Sequence, residues 1–124
     1  MPRVVAVVGA SRDRHKFGNK AVRAYANRGY EVIPINPRSD VIEGIPSYSS
    51  VLDVPGKIDI ATIYLQPSEG EQVVDEIVKK GISEVWLNPG ADSTPVVARA
   101  KKLGLAPKFG CSIVAIGEDP LFYT

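Results

Sequence analysis

The sequence predicts a doubly wound α/β domain, with a parallel sheet of about five strands and helices on both faces. Three observations predict it. The apolar runs are short, β-branched and continuous, as in strands buried on both faces. They alternate with segments of helical spacing. A glycine closes each helical stripe, where a left-handed C-terminal residue belongs.

The first strand is expected over residues 3–8. Phe17, Ala21, Val22, Tyr25 and Ala26 then recur at helical spacing and define the first helix, which Gly29 stops. Residues 31–35 make the second strand, although Pro34 removes a ladder donor there and predicts a local irregularity or a shortened strand. Segment 39–57 is punctuated by Pro46, Pro55 and Gly56. It is expected to cross one face of the sheet, with a short helix around residues 50–53. A third strand covers 58–64. Ser68-Glu69-Gly70-Glu71 then matches a capping box, followed by the stripe Val73, Val74, Ile77 and Val78 and by Gly81. The fourth strand is 84–87. Thr94 reads as the cap of a third helix, with Pro95 at its first position and the stripe Val96, Val97, Ala100 and Leu103 before Gly104. A fifth strand is expected near 107–111. With no repeat or linker in view, residues 1–124 read as one cooperative unit.

Composition narrows the function classes. The chain has 124 residues, 44% hydrophobic and 23% charged, which is an ordinary globular balance with enough length for one core and no room for a second catalytic domain. A net charge of +1 says little by itself; nucleic-acid binders more often show a strongly basic balance or face, so any useful positive charge must be local. The single cysteine, Cys111, excludes a disulfide framework and a cysteine-rich zinc site, fits a reducing compartment, and reads as buried and inert. The five-residue run from Val4 to Val8 is too short for a signal or membrane segment, so a cytoplasmic location is expected.

The strongest chemical signal is Val7-Val8-Gly9-Ala10-Ser11 at the end of the first strand, with a loop running on to Gly18 and the first helix. Such a turn aims backbone amides and a helix N-terminus at an anion, and a glycine lets phosphate come close. Arg12, Arg14, His15 and Lys16 add cationic groups that suit a polyphosphate, although a solvated basic loop would look the same in sequence. A second signal is Ile35-Asn36-Pro37-Arg38. Dinucleotide-binding domains of this class place a carboxylate here for the ribose hydroxyls, whereas this chain offers Arg38. An arginine suits a phosphorylated ribose, which leaves coenzyme A with its 3′-phosphate or NADP with its 2′-phosphate ahead of NAD; a plain surface arginine is the alternative. The third and fourth strands end in Leu65-Gln66-Pro67 and Asn88-Pro89-Gly90, at the carboxyl edge where ligands of open α/β sheets bind. Proline also simply stops strands.

Val8-Gly9-Ala10-Ser11, Gly18, the run from Gly29 to Pro37 and Trp86-Leu87-Asn88-Pro89-Gly90 together resemble the small stand-alone CoA-binding family, nearly end to end. The chain is similar, more distantly, to the Rossmann-like CoA-binding domain of the α subunit of succinyl-CoA synthetase and of ADP-forming acyl-CoA synthetases. The resemblance implies a cofactor site for coenzyme A or acyl-CoA. Gly9, Ala10 and Ser11, with the loop through Arg12, Lys16 and Phe17 to Gly18, would hold the diphosphate; Asn36 and Pro37 would belong to the same cofactor site, and Arg38 would meet the 3′-phosphate. Leu65, Gln66 and Pro67 would border the adenine, with Asn88, Pro89 and Gly90 further along the same edge. The phosphohistidine of the synthetases has no counterpart, since the one histidine, His15, lies inside the phosphate loop. Cys111-Ser112-Ile113-Val114 keeps the cysteine seen near the last strand in many family members and lacks their histidine.

Catalytic motifs are missing. Gly9-Ala10-Ser11 continues as Arg12-Asp13 and lacks the second glycine of a nucleophile elbow, and no P-loop string occurs. An NADP oxidoreductase would need a substrate domain. The expectation is therefore a non-catalytic CoA-binding module serving as carrier, sensor or subunit for an unidentified protein partner, with no role for nucleic acid or membrane. An NADP-binding regulatory domain is the alternative.

Overall fold

Val4–Val8 (β1) is buried from its second residue onward, as a central strand must be. In this computed structural model, which describes residues 2–65 and 67–123, β1 pairs in parallel with Glu31–Ile35 (β2) on one side and Ile60–Ile63 (β5) on the other. Glu84–Leu87 (β6) and the short Lys108–Phe109 (β7) extend the sheet, giving the order β2-β1-β5-β6-β7, all parallel. The chain runs from β1 to one edge and then resumes on the other side of β1. That reversal places the topological switch point between β1 and β5.

Alternate residues of each strand feed two separate cores, as a period of two requires. Ala6, Val8, Ala61, Ile63, Val85 and Leu87 pack against Pro67–Lys80 (α2) and Thr94–Lys102 (α3) through Val74, Ile77, Val96 and Ala100. Val5, Val7, Val32 and Ile60 face the opposite side, against Ala21, Val22 and Tyr25 of Phe17–Asn27 (α1) and Ile113 of Ser112–Ala115 (α4). The predicted α/β class, with helices on both faces, is therefore the observed one.

Local details correct three expectations. Pro34 neither shortens nor breaks β2, because β2 is the edge strand of the sheet. The carbonyl of Pro34 accepts from the Tyr48 amide at 3.1 Å, so this residue's polar side faces away from β1, where no ladder donor is required. The cap of α3 is Ser93 rather than Thr94, which is already helical; Pro95 still lies in the first turn, where an amide has no partner to lose. Segment 39–57 holds the expected short 3₁₀ helix, Val51–Asp53, but also an unpredicted hairpin, Val41–Ile42 (β3) with Ile45–Pro46 (β4). Its two-residue turn puts Glu43 at φ 51° and Gly44 at φ 76°. Both left-handed positions are what a tight hairpin of this twist demands. The capping box expected at Ser68 falls on a side chain outside the described residues.

Candidate functional site

Where β1 ends, Gly9 turns the chain at φ 89°, a conformation natural to glycine alone. A Cβ on Gly9 would lie 2.8 Å from the Tyr64 carbonyl oxygen, so the turn also presses against the end of β5. Gly18, at the start of α1, packs on the Gly9 carbonyl so closely that a Cβ there would overlap the backbone. These two glycines bring strand end, loop and helix start together.

Two asparagines hold the loop from behind. The Asn36 carboxamide donates to the Ala10 carbonyl at 2.8 Å while its oxygen accepts from the Arg38 amide at 2.7 Å. Asn19, fully buried on α1, donates to the Ser11 carbonyl at 2.9 Å. In a planar trans peptide the N–H points opposite to the C=O. Pinning these two carbonyls therefore turns the amides of Ser11 and Arg12 away from the asparagines, and neither amide donates a hydrogen bond among the described residues. Asp13 closes the loop by accepting the His15 amide at 3.0 Å on its side chain and the Lys16 amide on its carbonyl. The hydrogen bond donated by the His15 backbone amide holds the Asp13 carboxyl below the usual carboxylate range.

A cleft of about 630 Å³ opens at this junction, beside the switch point, within the size range of ligand pockets. Of the residues singled out from the sequence it brings together Gly9, Ala10, Ser11, Lys16, Asn36, Pro37, Arg38 and Leu65. Among the described residues the exposed Arg38 guanidinium forms no hydrogen bond or ion pair, which leaves it available to an anion. Gln66 lies outside the described residues, and Pro67 is described only as the first position of α2. The remaining candidates do not line the cleft. Arg12 and Phe17 are exposed beside it, and Gly18 acts through packing.

Asn88 is buried, and its side chain is committed elsewhere. It donates to Thr62 Oγ1 at 2.7 Å and the Ile63 carbonyl at 2.9 Å, and it accepts from the Ser112 amide at 2.9 Å. Together with the Thr62 to Ser112 hydroxyl contact at 2.7 Å, it ties β5, β6 and α4 into one polar knot, and Pro89 and Gly90 follow it away from the cleft. Cys111 is half-buried at the cap of α4 rather than fully buried, because α4 is short and its start lies at the carboxyl edge.

The opposite wall was not legible in the sequence. Helix α2 supplies Glu69, Gln72, Val73 and Glu76, and segment 49–51 supplies Ser49 and Val51. Glu76 accepts the Ser50 hydroxyl at 2.6 Å. The cleft is thus bipolar, with cations on the loop side and carboxylates with apolar flanks on the helix side. An anion fits the first half, and a planar heterocycle with amino and hydroxyl edges fits the second.

The chain is similar to known proteins in sequence and in fold. A family model described as "CoA binding domain" matches residues 3–116. Over 85 residues the chain is 34% identical to the α subunit of an ADP-forming acetate–CoA ligase II of Pyrococcus furiosus. The match covers 68% of this chain and 19% of that one, so the chain spans about a fifth of that curated relative. An uncharacterised protein of Bacillus subtilis is 27% identical over 100 residues, 81% of this chain and 74% of its own length. Among solved structures, a conserved hypothetical protein of Pyrococcus furiosus superposes with a TM-score of 0.84 at 34% identity, covering 93% of this chain and 99% of that one.

Proposed function

We propose, from the premise that the chain belongs to the CoA binding domain family, that it captures coenzyme A or an acyl-CoA in the cleft at the ends of β1, β2 and β5. It acts there as a non-catalytic carrier, sensor or subunit for a protein partner in the cytoplasm. The observation that carries this reading is the pair of pinned peptides, with the Ser11 and Arg12 amides unpartnered in a loop that lines the cleft together with Arg38. The residues fit the ligand's chemistry. A diphosphate takes the backbone amides and the positive end of α1, a 3′-phosphate takes Arg38, and the adenine takes the apolar flanks Leu65, Val51 and Val73. Among the described residues no cluster of metal-binding side chains and no helix long and apolar enough to cross a membrane occurs.

Calorimetry with CoA, NADP and ATP side by side tests the ligand. CoA binding is expected to be the tightest; micromolar NADP binding without a CoA response would replace the proposal with an NADP-binding regulatory domain. Incubation with CoA, a carboxylic acid, magnesium and ATP tests the chemistry. No acyl-CoA is expected, and its formation by protein free of contaminating ligase would overturn the non-catalytic assignment.

A further inference from the structure

The hairpin β3–β4 lies outside the main sheet, yet its tip reaches the phosphate loop. Asn19 has two amide hydrogens. One goes to the Ser11 carbonyl at 2.9 Å and the other to Glu43 Oε2 at 3.0 Å, while its oxygen accepts from Arg23 Nε at 2.7 Å. Because Asn19 is fully buried, a carboxamide lacking the Glu43 partner would hold an unsatisfied donor and would lose one of the three hydrogen bonds that fix its rotation. Arg23 continues the chain of contacts, donating to the Arg14 carbonyl at 2.8 Å, and Glu43 also faces Arg14 Nε at 3.4 Å. Both carbonyls at the ends of the segment from Ser11 to Arg14 are therefore fastened to one network that ends on Glu43.

We propose that Glu43 is a positioning residue for diphosphate recognition: acting through Asn19, it holds the Ser11 carbonyl inward and so presents the Arg12 amide to the ligand. This rests on the reading of the cleft as a CoA site. The carboxylate supplies a hydrogen-bond acceptor, and its charge is incidental to that task. Glutamine at the same place offers an acceptor of the same length, whereas alanine offers none.

Titration of the wild type, Glu43→Gln and Glu43→Ala with CoA and with adenosine 3′-phosphate tests this. Glu43→Ala should weaken CoA about tenfold, consistent with loss of one oriented hydrogen bond, and leave the ligand without a diphosphate unchanged. Glu43→Gln should restore CoA affinity to within about twofold of wild type. Equal CoA affinity in all three proteins, an equal loss for both ligands, or failure of glutamine to rescue would overturn the proposal. A wild type that binds no CoA would overturn the functional reading instead. The positioning role would then be decided in the free protein by exchange of the Asn19 carboxamide protons, which should be slow in wild type and Glu43→Gln and fast in Glu43→Ala; equal rates in all three would refute it.

Discussion

Gly18→Ala sets two physical effects against each other. Gly18 lies in the first turn of α1 with an ordinary helical backbone, so alanine's helix propensity favours the substitution by at most about 1 kcal/mol. Against this, the new methyl would fall on the Gly9 carbonyl well inside 3.0 Å and also crowd the Ala10 Cα at 3.3 Å, and both neighbours are backbone that cannot rotate away. Overpacking of this kind costs about 1–3 kcal/mol, and relief requires the helix start to withdraw from the loop. A net destabilisation of about 1–2 kcal/mol follows, or a fall in Tm of roughly 3–8 °C for a domain of this size. The same withdrawal separates the α1 start from the loop amides, so CoA affinity should fall at least tenfold in protein that remains folded. Gly104→Ala is the control, because its Cβ meets nothing and only the strain of φ 80° remains. It should lose comparable stability and no affinity. Thermal melts with calorimetry on both variants decide the matter. A Gly18→Ala protein as stable as wild type with unchanged CoA affinity would refute the close packing of helix on loop.

Arg38→Ala should weaken CoA by about 1.5–3 kcal/mol, roughly ten- to over a hundredfold, and leave dephospho-CoA almost unaffected; equal losses by calorimetry would remove Arg38 from 3′-phosphate recognition. Asn88→Ala should destabilise by about 2–4 kcal/mol in denaturant melts, because it strips partners from the buried Ser112 amide and Thr62 hydroxyl, with CoA affinity intact in the folded fraction. A loss of affinity with normal stability would return Asn88 to the ligand site. Burial raises the Glu84 pKa, but the Arg3 and Trp86 hydrogen bonds and the charges of Arg3 and Lys108 outweigh it and hold it below its ordinary 4.5. A lowered folded pKa gives stability that is present above 4.5 and lost as pH falls through the depressed value. The stability advantage of wild type over Glu84→Gln, followed by denaturant melts from pH 7 to pH 3, should therefore vanish only below pH 4.5; a gap independent of pH would contradict it.

The parts of the fold legible in the sequence are those governed by burial. β1, β2, β5 and β6 are covered on both faces, so their runs of Val, Ile, Leu and Ala stand out, and Gly29, Gly81 and Gly104 mark helix ends through their positive φ. The hairpin β3–β4 left no trace because two-residue strands carry no periodicity and Glu43-Gly44 is not a favoured turn pair. Pro34 misled because a sequence does not reveal which strand lies at an edge. Of the residues that line the cleft, the Gly9 turn and Arg38 were candidates legible from local chemistry. Asn19 was not, since a polar residue beside a helical stripe reads as solvent-facing, and its burial depends on a loop and a hairpin that close over it. Asn88 failed in the opposite sense: an asparagine at a strand end suggests the ligand edge, and only the neighbouring Thr62 and Ser112 turn it inward. The α2 wall of the cleft became visible only once the fold set that helix against the 3₁₀ helix Val51–Asp53.

The central claim is that coenzyme A lies across the ends of β1, β2 and β5, with its diphosphate on the amides that Asn19 and Asn36 turn outward. A crystal structure of the protein with CoA tests it most directly. Diphosphate oxygens are expected within hydrogen-bond distance of the Ser11 or Arg12 amides, with the 3′-phosphate at Arg38. CoA bound instead in the separate groove lined by Val22, Ala26, Ile45 and Phe122, with the Gly9 turn untouched, would contradict it.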